Sequence, residues 1–483
     1  MTSDDPLETV IGRFGKYQAW ILLLLTMGRL PSDFQLVNVV FVVPSVQYVC
    51  MDEGTQNLTN HCPCDNPMYD TSAIVNSVPT TWNLICNKKH LASLAQSSLQ
   101  VGILFGSILY GYISDRYGRR IAILLALMSQ IFFVGTSAIV PQLWMFIVCR
   151  LLIGASVGGT LICCYVMLVE LSGKSFRPYL TGLNEIAYTL SYILLPLIAY
   201  FVRDWRYLQL SISMPWLFVL FYYNFIPESP RWLITKGRKE QAIEVLTYIA
   251  KKNNRPTTNI KHIVEKELLH NNSDQQNNGS YLDLFKTPKM RVYTLINALI
   301  WLCCSHTFFG INQYIGRLDG NIYLNVFLSA IGFVPALFLV VALSLYVSRK
   351  MSMVVTFVGT GLVLLVFIFI PSDMKYATLS FAILGQIIIY IAFILIYLYT
   401  SEVFPTVLRN SAMGFASMFA RIGGFIAPFV VNLDSEWGSI LVFSAVSLLG
   451  GALCLPLRET KDTVLLNTIE ETEHYKKKKT QSQ

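Results

Sequence analysis

Several charged residues of this chain stand where a charge is hardest to hold. Arg421 lies in an apolar stretch, 12 residues after Arg409 and 13 before Asp434, so at about 1.5 Å of helical rise per residue it would reach the middle of a bilayer. A central arginine costs at least about 2.5 to 3.5 kcal/mol on insertion scales and must face a partner or a wet cavity. Its planar fork suits a carboxylate or sulfate, although a tie to another helix or to backbone carbonyls would satisfy it equally. Arg29 and Asp33 are four apart, hence on one helical face if Pro31 leaves the helix intact, and read first as a local ion pair. Glu185 falls near a membrane face and suits a gate or a helix cap better than a substrate contact. His306, desolvated, is neutral and reads as a hydrogen-bonded core residue before a proton-coupling one. No His, Asp, Glu or Cys cluster has catalytic or metal-ligand spacing, and no Walker pattern occurs, so an enzyme, an ATP-driven pump, a metal centre and a cofactor are all unexpected.

These charges must be positioned by membrane helices. Of 483 residues, 54% are hydrophobic and only 14% charged, with mean hydropathy +0.50; a soluble protein carries about 25% charged residues. Residues 91–114, 121–149, 321–348 and 376–401 contain no Asp, Glu, Lys or Arg. Each crossing needs about 20 apolar residues in a helix, because the bilayer core offers free backbone groups no water. Twelve are expected, at 17–43, 91–113, 121–139, 143–168, 179–202, 208–226, 292–315, 321–347, 353–370, 376–400, 411–431 and 438–457. Asp4, Asp5 and Glu8 stand where a secretory leader would be basic, so none is expected. With both termini cytoplasmic, 28 of the 37 Lys and Arg fall inside, the asymmetry the positive-inside rule requires. The +8 net charge is thereby assigned to the bilayer surface, and no nucleic acid partner is expected.

Four regions follow: a six-helix half (1–226), a charged linker with short helices (227–291), a second six-helix half (292–457) and a cytoplasmic tail (458–483). The 44–90 loop, assigned outside, holds Cys50, Cys62, Cys64 and Cys86, an even count that reads as two disulfides with three pairings open. It also carries Asn57-Leu58-Thr59, a glycosylation acceptor, and offers a surface through which copies of the chain could form a homo-oligomer. The six other cysteines lie in spans and read as small packing residues.

An internal repeat links the halves. Glu170 and Arg177 recur as Glu402 and Arg409 at an offset of 232, Asp204-Trp205 as Glu436-Trp437 at 232, Glu228 as Glu459 at 231, and Arg116 as Arg349 at 233. Landmarks in one register, each at the same membrane face, indicate two parallel six-helix repeats, which would place a substrate site at mid-membrane between them and work by rocking. Asp115, Arg116, Arg119, Arg120, Glu170, Arg177, Glu402 and Arg409 are then candidates for a cytoplasmic gate.

The loop Gly111-Tyr-Ile-Ser-Asp115-Arg116-Tyr-Gly118-Arg119-Arg120 and the helix start Arg150-Leu-Leu-Ile-Gly154-Ala-Ser-Val-Gly158-Gly159 resemble the two signature motifs of the major facilitator superfamily. With Pro227-Glu-Ser-Pro-Arg-Trp-Leu233, Arg203-Asp-Trp-Arg206, Gly320-Asn-Ile-Tyr-Leu-Asn325, Ser401-Glu-Val-Phe-Pro-Thr-Val-Leu-Arg409-Asn410 and Ala420-Arg-Ile-Gly-Gly-Phe-Ile-Ala-Pro428, the chain from 17 to 460 resembles the organic ion transporter family, which includes organic cation, organic anion and carnitine transporters. Sugar porters share the 227–233 motif, but their glutamine-rich pattern is missing from the seventh span, Cys303-Cys-Ser-His-Thr-Phe-Phe-Gly310.

The resemblance implies an all-α major facilitator fold and an alternating-access plasma-membrane carrier of a small organic ion. Within it, anion and carnitine transporters carry arginine at the position of Arg421, where the best-known cation carriers have aspartate. That favours a carboxylate-bearing anion or zwitterion over a permanent cation. A second cation common in anion transporters after the eighth-span Pro-Ala is replaced by Leu337, which keeps a zwitterion as plausible as a dianion. Phe34, Tyr188, Tyr192, Phe308, Phe309 and Tyr397 fall on helices that line the cavity in the superfamily and could stack on the ion. An organic cation transporter and a non-transporting receptor that kept the fold are the alternatives; retention of Asp115, Arg119, Arg150, Glu170 and Arg177 favours a working rocker.

Overall fold

The computed structural model of the chain describes residues 6–52, 58–173, 176–221, 225–274, 281–371, 374–405, 408–433, 435, 437–461 and 473. Asn57, Asp434, Glu436, part of the Asn/Gln-rich end of the linker and the side chain of Arg177 lie outside the described residues. Nine helices among those described are long and apolar enough to cross a membrane. They include the second to fifth spans, Lys89–Tyr117, Arg119–Ile139, Leu143–Leu171 and Arg177–Phe201, then the seventh, Pro288–Ile315. The ninth to eleventh are Arg349–Ile368, Lys375–Val403 and Arg409–Val431. The twelfth expected crossing is a shorter helix, Gly438–Cys454, and the first, Lys16–Val37 followed by Val39–Val42, buries Arg29, Ser32, Asp33 and Gln35.

Two crossings expected as single helices are broken, each at a proline. The sixth is a helix at Trp205–Ser211 and a 3-10 segment at Met214–Phe221. The helix starts where Asp204 accepts the Arg206 N–H at 2.8 Å, and Pro215, lacking an N–H, cannot continue the α-helical ladder. The eighth runs Ile322–Ile331 and Phe333–Tyr346, where Pro335 leaves the carbonyl four residues back without its helical donor.

The chain divides into two compact units, Met1–Gln275 with Asn321–Ala330, and Gln276–Gly320 with Ile331–Gln483. In the first unit the second and fourth spans approach closely. A Cβ on Gly102 would overlap the Leu151 carbonyl and one on Gly154 the Leu99 carbonyl, the small-residue packing that membrane helices use where no hydrophobic force joins them. Linker helices Pro230–Thr235, Lys239–Lys252 and Ile260–Asp274 bury Trp232, Leu246, Ile249 and Val264 against the ends of the first and fourth spans. The 44–90 loop folds on a small antiparallel sheet of β1 (Tyr48–Cys50), β2 (Leu58–Thr59) and β3 (Pro67–Tyr69), ordered β2-β1-β3. Disulfides Cys50–Cys64 and Cys62–Cys86 staple it, which selects one of the three pairings. In the second unit the seventh and eleventh spans meet at Gly423, where a Cβ would strike the Leu302 carbonyl.

Candidate functional site

Each unit closes one end of its helices with the same arrangement of charges. In the first unit Gly118 turns the chain with φ +116°, a conformation glycine adopts without penalty, so that Arg119 opens the third span. Its Nε and Nη2 donate to the two carboxylate oxygens of Glu170 at 3.0 and 2.9 Å, while Nη1 reaches the Asp115 carboxylate at 2.6 Å. Glu228 caps the same helix start, accepting the amides of Arg119 and Ser229 at 2.9 Å. A Cβ at position 118 would collide with that carboxylate. Arg231 and Trp232 complete the cluster by donating to the carbonyls of Glu170 (3.2 Å) and Asp115 (3.0 Å).

The second unit repeats this. Glu459 accepts the amides of Arg349 at 2.8 Å and Lys350 at 3.1 Å, and Arg349 Nε lies 3.3 Å from Glu402. Thr460 adds a 2.7 Å hydrogen bond to Glu402. The counterpart of Arg349 is therefore Arg119, at an offset of 230, and not Arg116 as the spacing suggested. Arg116 stands apart, donating to the Tyr112 hydroxyl at 2.6 Å and lying 5.5 Å from the Tyr117 ring. Arg120 lends its amide to Glu228 at 3.4 Å, but its side chain lines a cavity with Lys16 and Lys252. Glu402 pairs with Arg349 rather than with the half-buried Arg409, whose Nε and Nη2 have no hydrogen-bond partner among the described residues. The two capping carboxylates differ electrostatically. Burial pushes Glu228 above its ordinary pKa despite its amide donors; burial pushes Glu459 the same way, but the amides of Lys461, Lys350 and Arg349 outweigh it and hold the group below that value.

Deeper in the first unit, Arg29 and Asp33 pair at 3.0 Å, and Arg29 also donates to the Asn184 carbonyl at 3.0 Å, tying the first span to the fifth. Glu185 exerts its field on both. Arg150, fully buried, donates to Gln35 at 3.2 Å and Asn38 at 3.3 Å. Gln209 receives an N–H from each of these two amides, at 2.9 and 3.1 Å, so a sixth-crossing amide orients the two first-crossing amides that accept from this arginine. Phe34 is buried, edge-on to Trp216 at 5.8 Å. Tyr188 and Tyr192 lie 6.1 Å apart, and Ser329 donates to the Tyr192 hydroxyl at 3.2 Å.

The second unit gathers the other candidates into an aromatic ladder. Phe308 stacks 5.1 Å from Phe393, whose ring is 5.6 Å from Tyr397, which meets Trp301 edge-on at 4.4 Å. Phe309 lies beside Phe308 at 5.3 Å. Phe393 and Trp301 were not among the residues the sequence singled out; their spacing from Tyr397 and Phe308 along two helices is the signal that would have found them. Arg421 sits midway along Arg409–Val431, partly exposed, and the Tyr397 hydroxyl acts on it electrostatically. His306 is a core residue, its Nδ1 3.3 Å from the Gly423 carbonyl.

Among the described residues one group has metal-like proximity, Cys50, Asp52 and Cys64, and its two sulfurs are bonded to each other.

Comparisons with known proteins agree with this architecture. Residues 33–465 match the family described as "Sugar (and other) transporter". Solute carrier family 22 member 2 of Homo sapiens is 33% identical over 85% of this chain and 74% of its own length. An organic cation transporter-like protein of Drosophila melanogaster is 31% identical over 97% and 92%, and the human organic cation/carnitine transporter 2 is 30% identical over 98% and 94%. The partially occluded inward-open structure of the xylose transporter XylE from E. coli superposes with a TM-score of 0.70 at 19% identity, covering 93% of this chain and all of that one. These likenesses, with the repeated charge clusters and the helical core, make the chain a multi-pass membrane transporter and not an enzyme, a member of the organic ion transporter family (solute carrier family 22) of the major facilitator superfamily.

Proposed function

We propose that the protein is an alternating-access carrier at the plasma membrane, with both termini cytoplasmic, that prefers carboxylate-bearing organic anions or zwitterions over permanent cations. The observation that carries this reading is Arg421, a guanidinium in the middle of the eleventh span beside Tyr397 and the aromatic ladder that continues to Phe308. A permanent positive charge at that depth attracts anionic groups and repels cations, while aromatic faces accept the organic body of the substrate. Carnitine, named for one relative, is a zwitterion whose carboxylate and quaternary ammonium would use both features. The two charge locks act as gates in this reading, holding helix ends together in one state and releasing them in the other.

A second reading is organic cation transport. It is supported by the names of relatives such as the organic cation transporter protein of Drosophila melanogaster, 29% identical over 98% of this chain. Uptake of matched anionic, zwitterionic and cationic compounds by cells expressing the chain, at two clamped potentials, separates them. Uptake of cations alone would overturn the first.

A further inference from the structure

The first unit gathers two carboxylates around one guanidinium inside the membrane. Arg29 stands thirteen residues past Lys16, where the first-span helix starts, about 20 Å along its axis. Its Nε and Nη2 donate to Asp33 Oδ1 at 3.3 and 3.2 Å. Nε is also 3.0 Å from Oδ2, an oxygen that accepts no hydrogen bond among the described residues. Nη1 donates to the Asn184 carbonyl at 3.0 Å. That carbonyl belongs to the peptide bond that Glu185 completes, so the Glu185 Cα lies within about 6 Å of the guanidinium. Each acid interacts electrostatically with Arg29 and the two acids with each other. Asp33 is fully buried, while Glu185 is partly exposed.

No second cation answers the second acid. Among the described residues, no charged group besides these three acts on the set. The fourth span brings the thiol of Cys164 to Arg29 and Asp33, and the sixth-span segment Met214–Phe221 carries no ionisable side chain. The hydrogen bond to Glu185 is a long one, from the Asn184 amide at 3.5 Å. With both acids ionised the set would therefore hold one net negative charge out of water. Two carboxylates sharing such a site do not both ionise, and the proton that neutralises them belongs to the set rather than to either residue. Tyr188 and Tyr192 follow Glu185 by three and seven residues, which puts all three on one face of the fifth span. Phe34 follows Asp33 directly. The acids thus share their helices with the aromatic candidates for substrate contact, and Arg29 ties those helices together through Asn184.

We infer that Arg29, Asp33 and Glu185 form a proton-binding site that couples substrate movement to a proton, an inference that rests on the carrier reading above. The step moves one proton: hydronium at one membrane face gives it to a carboxylate oxygen, and the carboxylic acid returns it to water at the other face. No other bond forms or breaks. Glu185, the partly exposed member, meets water, and Asp33 behind Arg29 shares the proton with it. A proton on either acid weakens its hold on Arg29 and so alters the tie between the first and fifth spans.

Two measurements on the full chain test this. In nanodiscs at neutral pH, infrared spectra should show a protonated-carboxyl band that Glu185→Gln and Asp33→Asn each diminish by one carboxyl, because either variant leaves one acid for one guanidinium. Arg29→Gln should enlarge the band, since neither acid then keeps its counter-charge. In proteoliposomes held without a membrane potential, an inward proton gradient should raise the accumulation of carnitine by up to about tenfold per pH unit. Glu185→Gln should make uptake with and without the gradient equal. Identical carboxyl bands in the wild type and in both acid variants would overturn the site. Accumulation that ignores the gradient in the wild type, or that follows sodium in place of protons, would overturn the coupling. If the wild type takes up neither carnitine nor a matched permanent cation, the carrier reading and the coupling fall together, while the band difference still decides the proton site. Arg421→Ala, which tests the substrate reading, should keep the wild-type band, so the two readings fail separately.

Discussion

Arg119 and Glu170 lie side by side, joined by two parallel hydrogen bonds of 3.0 and 2.9 Å, whereas the equivalent Arg349 and Glu402 approach to 3.3 and 3.4 Å and enlist Thr460. The first is the bidentate geometry that makes arginine–carboxylate pairs strong. Asp115, also on Arg119, is 76% exposed, and exposed pairs are worth about 0 to 1 kcal/mol. The fold rests on Glu170 rather than on Asp115.

Asp115→Asn should therefore reach the cell surface at the normal level and slow transport by up to about fivefold, because losing an exposed pair shifts the conformational balance by at most about 1 kcal/mol. Glu170→Gln strands a mostly buried guanidinium and should lower the surface level itself, the loss of one partner of a buried pair costing about 3 to 5 kcal/mol. Surface biotinylation beside initial-rate uptake checks both. Normal maximal flux per surface molecule in Asp115→Asn would remove the gating role.

The capping glutamates should respond to acid in opposite ways. Glu459 is held below its ordinary pKa in the folded chain, so its contribution is present above the ordinary carboxylate range and is lost as pH falls through the lowered value. Glu228 is raised; its contribution is full below the ordinary value and is lost as pH rises through the raised one. Against pH-matched wild type, the thermal deficit of Glu459→Gln should narrow on acidification from neutrality, while that of Glu228→Gln should widen. A melting series on detergent-purified protein would show it, and parallel curves would reject the assignment.

The loop disulfides make a pairing-specific prediction. Cys50–Cys64 and Cys62–Cys86 close segments of 14 and 24 residues, each worth about 3 kcal/mol in the chain-entropy account. Cys50→Ser and Cys64→Ser should match each other and their double variant in surface expression, whereas Cys50→Ser with Cys62→Ser should be worse than either alone. In the same experiments glycosidase should collapse a mobility shift that Asn57→Gln abolishes. A shift that persists in Asn57→Gln would place the glycan elsewhere.

How much of this was legible in the sequence follows from the range over which each signal acts. The crossings are set by a local rule, a run of apolar residues long enough to span hydrocarbon, and each of the twelve expected segments overlaps helical structure among the described residues. The breaks at Pro215 and Pro335 are equally local, but hydropathy summed over a span averages across them. The choice of Arg119 over Arg116 depends on the left-handed turn at Gly118, a backbone property that charge spacing does not carry. The network of Arg150, Gln35, Asn38 and Gln209 is assembled from positions up to 174 residues apart, and isolated amides in apolar runs announce no partner. The aromatic candidates were named from helices, and only packing arranged Phe308, Phe393, Tyr397 and Trp301 into one ladder.

Arg421 and Tyr397 then define the most discriminating substitution series. If the guanidinium receives a substrate carboxylate, Arg421→Ala removes one partner of a desolvated charge pair, a loss of about 2 to 5 kcal/mol, so uptake of carboxylate substrates should fall well over tenfold. Arg421→Lys should recover only part, since an ammonium lacks the planar fork. Arg421→Asp should turn the preference toward permanent cations, because the field at mid-helix changes sign. Tyr397→Phe, which keeps the contact with Trp301 and removes the hydroxyl near Arg421, should leave the aromatic ladder intact and alter carboxylate selectivity more than the uptake of uncharged analogues. The measurement is uptake of matched anionic, zwitterionic and cationic compounds by each variant, normalised to surface protein. Equal losses for all three classes would make Arg421 a structural tie between helices, and the preference for anions or zwitterions would lose the observation that carries it.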